Sequence, residues 1–343
     1  MSLYQNKISV CVPAFNRSKY LAPLLDSLLI QKDFLFELVI CEDFSPERAE
    51  IRDIIDNYKC QYGDLISYHE NDENLGFDAN LRKLVRTARG DYCVFLGNDD
   101  VLCSDALMRI DDLLTRHPSV GVVLRGYGWF EGTPKNVIQT VNYFHDEKIL
   151  TSGLDSLSFF YRRSCALAGL TIARKPALEF ETSEFDGTLF YQLHLVGNLI
   201  MKYDGAYIPG TIALCRADET PDFGYSTTEK GIFTPGEYTI KARLKMMEGI
   251  INIANSLSLK YKGASEKILS DFASYSFPWL AYHADKSFSI FFKYYYDLGM
   301  LGLRSYFMYH IYFIAILLFG SKRIEWMINK IRKFLGHTPK IGF

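Results

Sequence analysis

Asp99 and Asp100 stand side by side just after Tyr92 to Leu96, an apolar run that reads as a buried strand. Two adjacent carboxylates at a strand end can hold a hard cation through oxygen ligands, with phosphates and water completing its shell. A cation held there stabilises the negative charge that builds on a departing diphosphate. The same pair also suits a solvated turn in which one aspartate caps the next helix. Asp43 follows a second apolar run, Leu38 to Cys41, where a carboxylate can accept from a nucleobase or ribose edge. Acids at strand ends are equally common as surface residues. Pro13-Ala14-Phe15-Asn16-Arg17 lies between a strand and a helix, where backbone N–H groups and a guanidinium can meet phosphate oxygens. Arg216 follows the run Thr211 to Leu214 and suits either a forked contact with a diphosphate or an ion pair with Asp218. His194 and His283 lie in apolar, helical surroundings and are assigned no role.

These residues need a scaffold that gathers them, and the first 125 residues supply its pattern. Short apolar runs at 8–12, 38–41, 65–68, 92–96 and 120–124 alternate with helical spacing such as Leu21, Leu24, Leu25, Leu28 and Leu29. Alternation of this kind predicts an α/β fold, a mostly parallel sheet flanked by helices. Ligands of such sheets bind beyond the carboxyl ends of the strands. Asn16, Arg17, Asp43, Asp99 and Asp100 all closely follow strands, so they are expected to form one site. No GxGxxG follows any strand, which argues against a nicotinamide enzyme. Residues 125–235 mix short strands and loops with a helix expected from Thr188 to Leu199. From about residue 237 the pattern is helical.

Composition narrows the partners. The 38 Lys and Arg residues balance 40 Asp and Glu, leaving no basic excess to neutralise a nucleic-acid backbone. Seven cysteines without a CxxC pair fit a reducing, cytoplasmic setting better than a disulfide framework or a zinc site. Met1 to Lys7 runs straight into a strand-like segment, so no signal peptide is expected. The apolar stretch Ile311–Phe319 falls short of the roughly 20 residues that span a bilayer. Near the C-terminus, Lys322, Arg323, Lys330, Arg332 and Lys333 interleave with Ile324, Trp326, Met327, Ile328, Ile331, Phe334 and Leu335. Such a helix can lie in a membrane interface, pack on the rest of the chain or form an oligomer contact.

The ordered motifs resemble a known family. Ile8 to Arg17, Val39-Ile40-Cys41-Glu42-Asp43, Asn74-Leu75-Gly76 with Asn80, Ala88-Arg89-Gly90-Asp91-Tyr92 and Phe95-Leu96-Gly97-Asn98-Asp99-Asp100 look like the opening of a family-2 glycosyltransferase with the GT-A fold. Phe185-Asp186-Gly187-Thr188-Leu189-Phe190-Tyr191 and Leu214-Cys215-Arg216-Ala217-Asp218 are similar to bacterial O-antigen enzymes of the abequosyltransferase-like branch.

The resemblance implies that Asp43 contacts the nucleobase and that Asp99 coordinates Mg²⁺ or Mn²⁺. Gly97 stands where the family often has an aspartate, so Asn98 or Asp100 would supply the ribose contact. The resemblance further implies a UDP-, CDP- or dTDP-sugar donor and a saccharide acceptor on a polyprenyl diphosphate, on the cytoplasmic face of the inner membrane. An inverting transferase also needs a carboxylate within reach of the acceptor hydroxyl. Asp186 and Glu184, just before the expected helix, are the candidates, with Asp186 preferred because Gly187-Thr188 would begin that helix. Helix capping by Asp186 is the plain alternative, and a retaining mechanism would need no such base. On this reading residues 1–235 form the catalytic unit, 1–125 on the donor side and 126–235 on the acceptor side, and 236–343 a helical extension. The rivals are a nucleotidyltransferase, whose basic glycine-rich loop is not visible, and a non-catalytic nucleotide- or sugar-binding protein.

Overall fold

A computed structural model describes residues 8–31 and 34–335. The expectation about Met1 to Lys7 lies outside the described residues. In chain order the strands are β1 (Ile8–Ala14), β2 (Phe36–Glu42), β3 (Ile66–Glu70), β4 (Tyr92–Phe95), β5 (Val101–Leu102), β6 (Val120–Phe130), β7 (Val137–Val141), β8 (Lys148–Leu150), β9 (Thr171–Ala173) and β10 (Asp204–Arg216). The helices of the first part are α1 (Ser18–Leu29), α2 (Arg48–Tyr62), α3 (Phe77–Thr87), α4 (Ala106–Arg116), α5 (Leu154–Arg163), α6 (Arg174–Leu178) and α7 (Tyr191–Ile200). Beyond them come α8 (Ile240–Lys260), α9 (Ala264–Ser274), α10 (Phe277–Ala281), α11 (Phe288–Met300), α12 (Phe307–Phe319) and α13 (Ser321–Leu335).

All ten strands join one mixed sheet, with the path β3-β2-β1-β4-β9-β6-β10-β5, β7 on β6 and β8 on β10. β1 pairs in parallel with β2 and β4, β2 with β3, and β6 with β10. Short β9 lies antiparallel between β4 and β6, so the six longest-range strands still run one way. Their carboxyl ends therefore open on the same edge, as the sequence pattern requires.

Side chains alternate across this sheet with the period of two that strands impose. Cys11, Val39, Cys41, Cys93 and Phe95 face one hydrophobic core, which α3, α5, α7, α8, α9, α11 and α12 complete. Val10, Val12, Leu38, Ile40 and Val94 face the other, covered by α1, α2 and α4. The helical extension thus shares a core with the sheet.

The strand expected at 120–124 continues to Phe130, because β10 and β7 pair with its second half. The helix expected at Thr188 starts at Tyr191. Leu189 adopts a left-handed φ of 67°, and the buried Asp78 accepts from the N–H groups of Leu189 and Tyr191, each at 2.8 Å. A carboxylate from α3 therefore sets where α7 begins.

Candidate active site

A cavity of about 310 Å³ opens at the carboxyl ends of β1, β2 and β4. Pro13, Ala14, Phe15, Arg17, Asp43, Asn98 and Asp99 line it. Seven residues expected from the sequence thus converge there.

Asp43 is held on three sides. Asn71 Nδ2 donates to its carboxylate at 2.6 Å, and the N–H groups of Leu75 and Gly76 at 2.8 and 2.9 Å. The motif Asn74-Leu75-Gly76 is therefore a cradle for this carboxylate, and Asn74 Nδ2 donates to its backbone carbonyl. Gly76 has a φ of 84°, and a Cβ there would stand 2.6 Å from Ser226 Oγ, so the close approach requires glycine. Burial pushes the Asp43 pKa up to about 6 against the opposing pull of those three donors. One oxygen keeps acceptor capacity for a ligand.

Asn16 and Arg17 form the turn between β1 and α1, both with left-handed φ, 48° and 59°. Asn98 Nδ2 fixes that turn by donating to the carbonyls of Phe15 and Asn16. Arg17 Nη1 meets Asp99 Oδ2 at 2.5 Å, while its Nη2 donates to the Thr220 carbonyl. Burial raises the Asp99 pKa, and the Arg17 charge opposes that rise.

Three other expected residues, and the candidate bases, sit differently. Asn16 is absent from the cavity wall, and its Nδ2 donates to Asp222 at 2.8 Å. Asp100 points behind the cavity, accepting from the Arg216 backbone N–H at 3.0 Å. Burial, then the charge of Asp99, pushes its pKa up to about 7. The Arg216 guanidinium stacks 3.8 Å from the Tyr20 ring centroid and 4.6 Å from that of Phe130. It also donates to Asp218 at 3.2 Å, the ion-pair alternative rather than the forked contact. Asp186 and Glu184 are absent from the wall as well, and both Asp186 oxygens are taken by Arg82. With α7 starting at Tyr191, Asp186 stands five residues before the helix rather than at its cap.

The segment after β10 supplies residues that the sequence pattern did not single out. Asp222, Phe223, Tyr225 and Glu229 all line the cavity. Phe15 and Tyr225 pack at 4.9 Å between ring centroids, and Phe77 meets Phe223 edge-on at 5.9 Å. Glu229 accepts from the N–H groups of Phe77 and Gly224 at 2.9 and 2.8 Å. Such a strap has no periodicity, and its one visible signal is aromatic and acidic residues between Pro221 and Gly236.

The family's divalent cation can be tested on this donor set. Among the described residues no group of three His, Cys, Asp or Glu side chains converges on one point. Asp99 alone of the adjacent pair faces the cavity. One carboxylate suits a hard cation whose remaining ligands are diphosphate oxygens and water. The residues fit a cation that takes its remaining ligands from phosphate oxygens and water.

Residues 9–174 match the family described as glycosyl transferase family 2. The chain thus carries a family-2 glycosyltransferase domain on a GT-A-like fold. It is 38% identical over 100 residues to abequosyltransferase RfbV of Salmonella typhimurium, covering 29% of this chain and 30% of that protein. It is 29% identical over 107 residues to a poly(ribitol-phosphate) beta-glucosyltransferase of Bacillus spizizenii, covering 30% of this chain and 16% of that protein. The chain therefore spans less than a third of either relative's length. The crystal structure of S. aureus TarS 1–349 in complex with UDP-GlcNAc shares the fold, with a TM-score of 0.58 at 16% identity over 86% of this chain and 80% of that one.

Proposed function

We propose that this protein is a glycosyltransferase. It moves a sugar from a UDP-, CDP- or dTDP-sugar onto a saccharide acceptor, carried on a polyprenyl diphosphate, during assembly of a bacterial surface polysaccharide. The observation that carries this reading is the meeting of Asp43, Arg17 and Asp99 at one cavity beyond three strand ends. Asp43 accepts from the nucleobase. Arg17 is close enough to the same wall to donate to the diphosphate, exchanging its bond with Asp99 for one with phosphate oxygens. Asp99 would hold Mn²⁺ or Mg²⁺ when bound, and the bound cation would stabilise the charge on the leaving diphosphate. Asn98 fixes the turn that carries Arg17, and is the nearer candidate for the ribose because Asp100 is committed to Arg216.

Asp186 and Glu184 remain the proposed bases. Asp186 serves only where acceptor binding loosens its pair with Arg82; Glu184 is exposed and carries no ion pair among the described residues.

The helical extension brings the enzyme to a lipid surface. No helix among the described residues is long and apolar enough to cross a membrane. α12 and α13 nevertheless expose Phe307, Ile314, Leu318, Phe319, Trp326 and Phe334, beside the basic residues of α13. That composition suits an interfacial helix. Replacing Trp326 and Phe334 by glutamate should abolish flotation with anionic vesicles, and unchanged flotation would overturn the membrane contact.

The donor reading is tested by melting the protein with a panel of nucleoside diphosphates, each with and without Mn²⁺. A ligand held at about 100 times its dissociation constant stabilises the fold by about 2.7 kcal/mol. A metal-dependent rise with one nucleotide identifies the donor class. No rise with any nucleotide, in folded protein, would overturn the transferase reading in favour of a degenerate binding protein.

A further inference from the structure

A second cavity, of about 700 Å³, lies between the sheet and the helices α5, α8, α10 and α13. It shares Cys165, Phe190 and Met246 with the first, so the two adjoin through a common wall. Four arginines line it: Arg162 and Arg163 from α5, Arg243 from α8 and Arg332 from α13. The one carboxylate on the wall is Glu325.

The charges are not balanced. Asp271 of α9 answers the α5 arginines, at 2.6 Å to Arg162 and 3.0 Å to Arg163. Arg243 and Arg332 enter no ion pair among the described residues. The Nε atoms of Arg163, Arg243 and Arg332 are buried without a hydrogen-bond partner. Burial draws the pKa of Arg163 and Arg332 below the ordinary arginine value. Burying a guanidinium is costly unless an anion and hydrogen bonds compensate it.

Aromatic rings hold these cations in place. The Arg243 guanidinium lies 4.1 Å from the Trp279 ring centroid and 5.1 Å from that of Tyr282. Arg332 lies 5.2 Å from Tyr275. Stacking fixes the guanidinium planes while the Nε–H of Arg243 and of Arg332 stays unpaired, although Arg243 also bonds Tyr294, and a free Nε–H suits recognition of phosphate. The same rings offer faces on which the apolar side of a sugar stacks.

We propose that this cavity is the acceptor site and that the acceptor enters it as a phosphate-bearing saccharide, with its phosphate on Arg243 and Arg332 and a sugar on Trp279. The inference rests on the glycosyl-transfer reading and adds where, and through which charge, the acceptor is held. A free sugar phosphate and a lipid-carried one offer the same chemistry.

The test is calorimetric titration of the full chain with N-acetylglucosamine 1-phosphate and with N-acetylglucosamine, plus binding to vesicles containing undecaprenyl phosphate. The sugar phosphate should bind at least tenfold more tightly than the neutral sugar. Arg243→Gln and Arg332→Gln should each weaken it tenfold or more, with melting temperatures unchanged or raised, and Arg17→Ala should leave it unaltered. Binding to vesicles alone assigns a lipid carrier, and binding in both arms a site open to either source, provided that both glutamine variants lose it. Equal affinity in those variants, equal affinity for the neutral sugar, or loss in Arg17→Ala alone would overturn the inference. A nucleotide-induced melting shift that persists without sugar-phosphate binding would sink this inference and leave the donor reading standing. The reverse result would sink the donor reading.

Discussion

The two cavities that meet at Cys165, Phe190 and Met246 carry opposite charge. Asp43, Asp99, Asp222 and Glu229 line the first, with Arg17 as its guanidinium. Four arginines and one glutamate line the second. The contrast follows from construction. Asp43 and Asp99, each just past a strand end, gather on one edge of a sheet whatever the helices do, whereas the arginines come from three helices that must first pack. An acid-lined pocket needs a cation before it accepts a diphosphate, and an arginine-lined one needs an anion to be satisfied.

Each side of this contrast can be broken separately. Asp99→Ala should lower transfer about a thousandfold, near 4 kcal/mol of barrier, with the melting temperature little changed. Near-normal turnover would remove the cation from the acid side. Asp271→Asn should destabilise the fold by about 3 kcal/mol in denaturant titration, because it strands two buried guanidinium groups. A cost below about 1 kcal/mol would mean that the arginine side is already compensated from elsewhere.

The smallest effect concerns pH. Nucleotide affinity should fall about tenfold per unit below pH about 6, where Asp43 takes up its proton and loses its acceptor role. Titration calorimetry between pH 5 and 8 checks this, with a flat profile expected for Asp43→Asn. The linked stability has the opposite sense. A carboxyl whose folded pKa lies above its unfolded value contributes stability that is full below the unfolded value and lost as pH rises through about 6.

Half of the acid side was legible in the sequence, because Asp43 and Asp99 each sit within a few positions of an apolar run, whereas Asp222 and Glu229 lie on a strap with no such pattern. Asp43 and Asp99 could be placed from the end of a strand alone. Asp100 and Arg216 could not be told from site residues, because their spacing is identical whether the side chain points into the cavity or behind it. Burial against Tyr20 and Phe130 decides the orientation of Arg216, and both contacts are distant in sequence. The start of α7 was misplaced for a similar reason, since its cap comes from Asp78 on α3. The arginine cavity left no local signal. Arg162, Arg243 and Arg332 are about 80 to 90 residues apart; the pattern singled out neither Arg162 nor Arg243, and placed Arg332 only among the basic residues of the C-terminal helix.

The division of the hydrophobic interior also has a consequence for synthesis. The face of the sheet bearing Val10, Val12, Leu38 and Ile40 is covered by α1, α2 and α4, all made within the first 116 residues. The face bearing Cys11, Val39 and Phe95 takes α3 early, but α5 and α7 follow only by Ile200, and α8, α9, α11 and α12, which complete that core, end at Phe319. A nascent chain therefore completes the helices of one core by residue 116 while the other stays only partly covered for some 200 residues more, at least ten seconds at ordinary elongation rates.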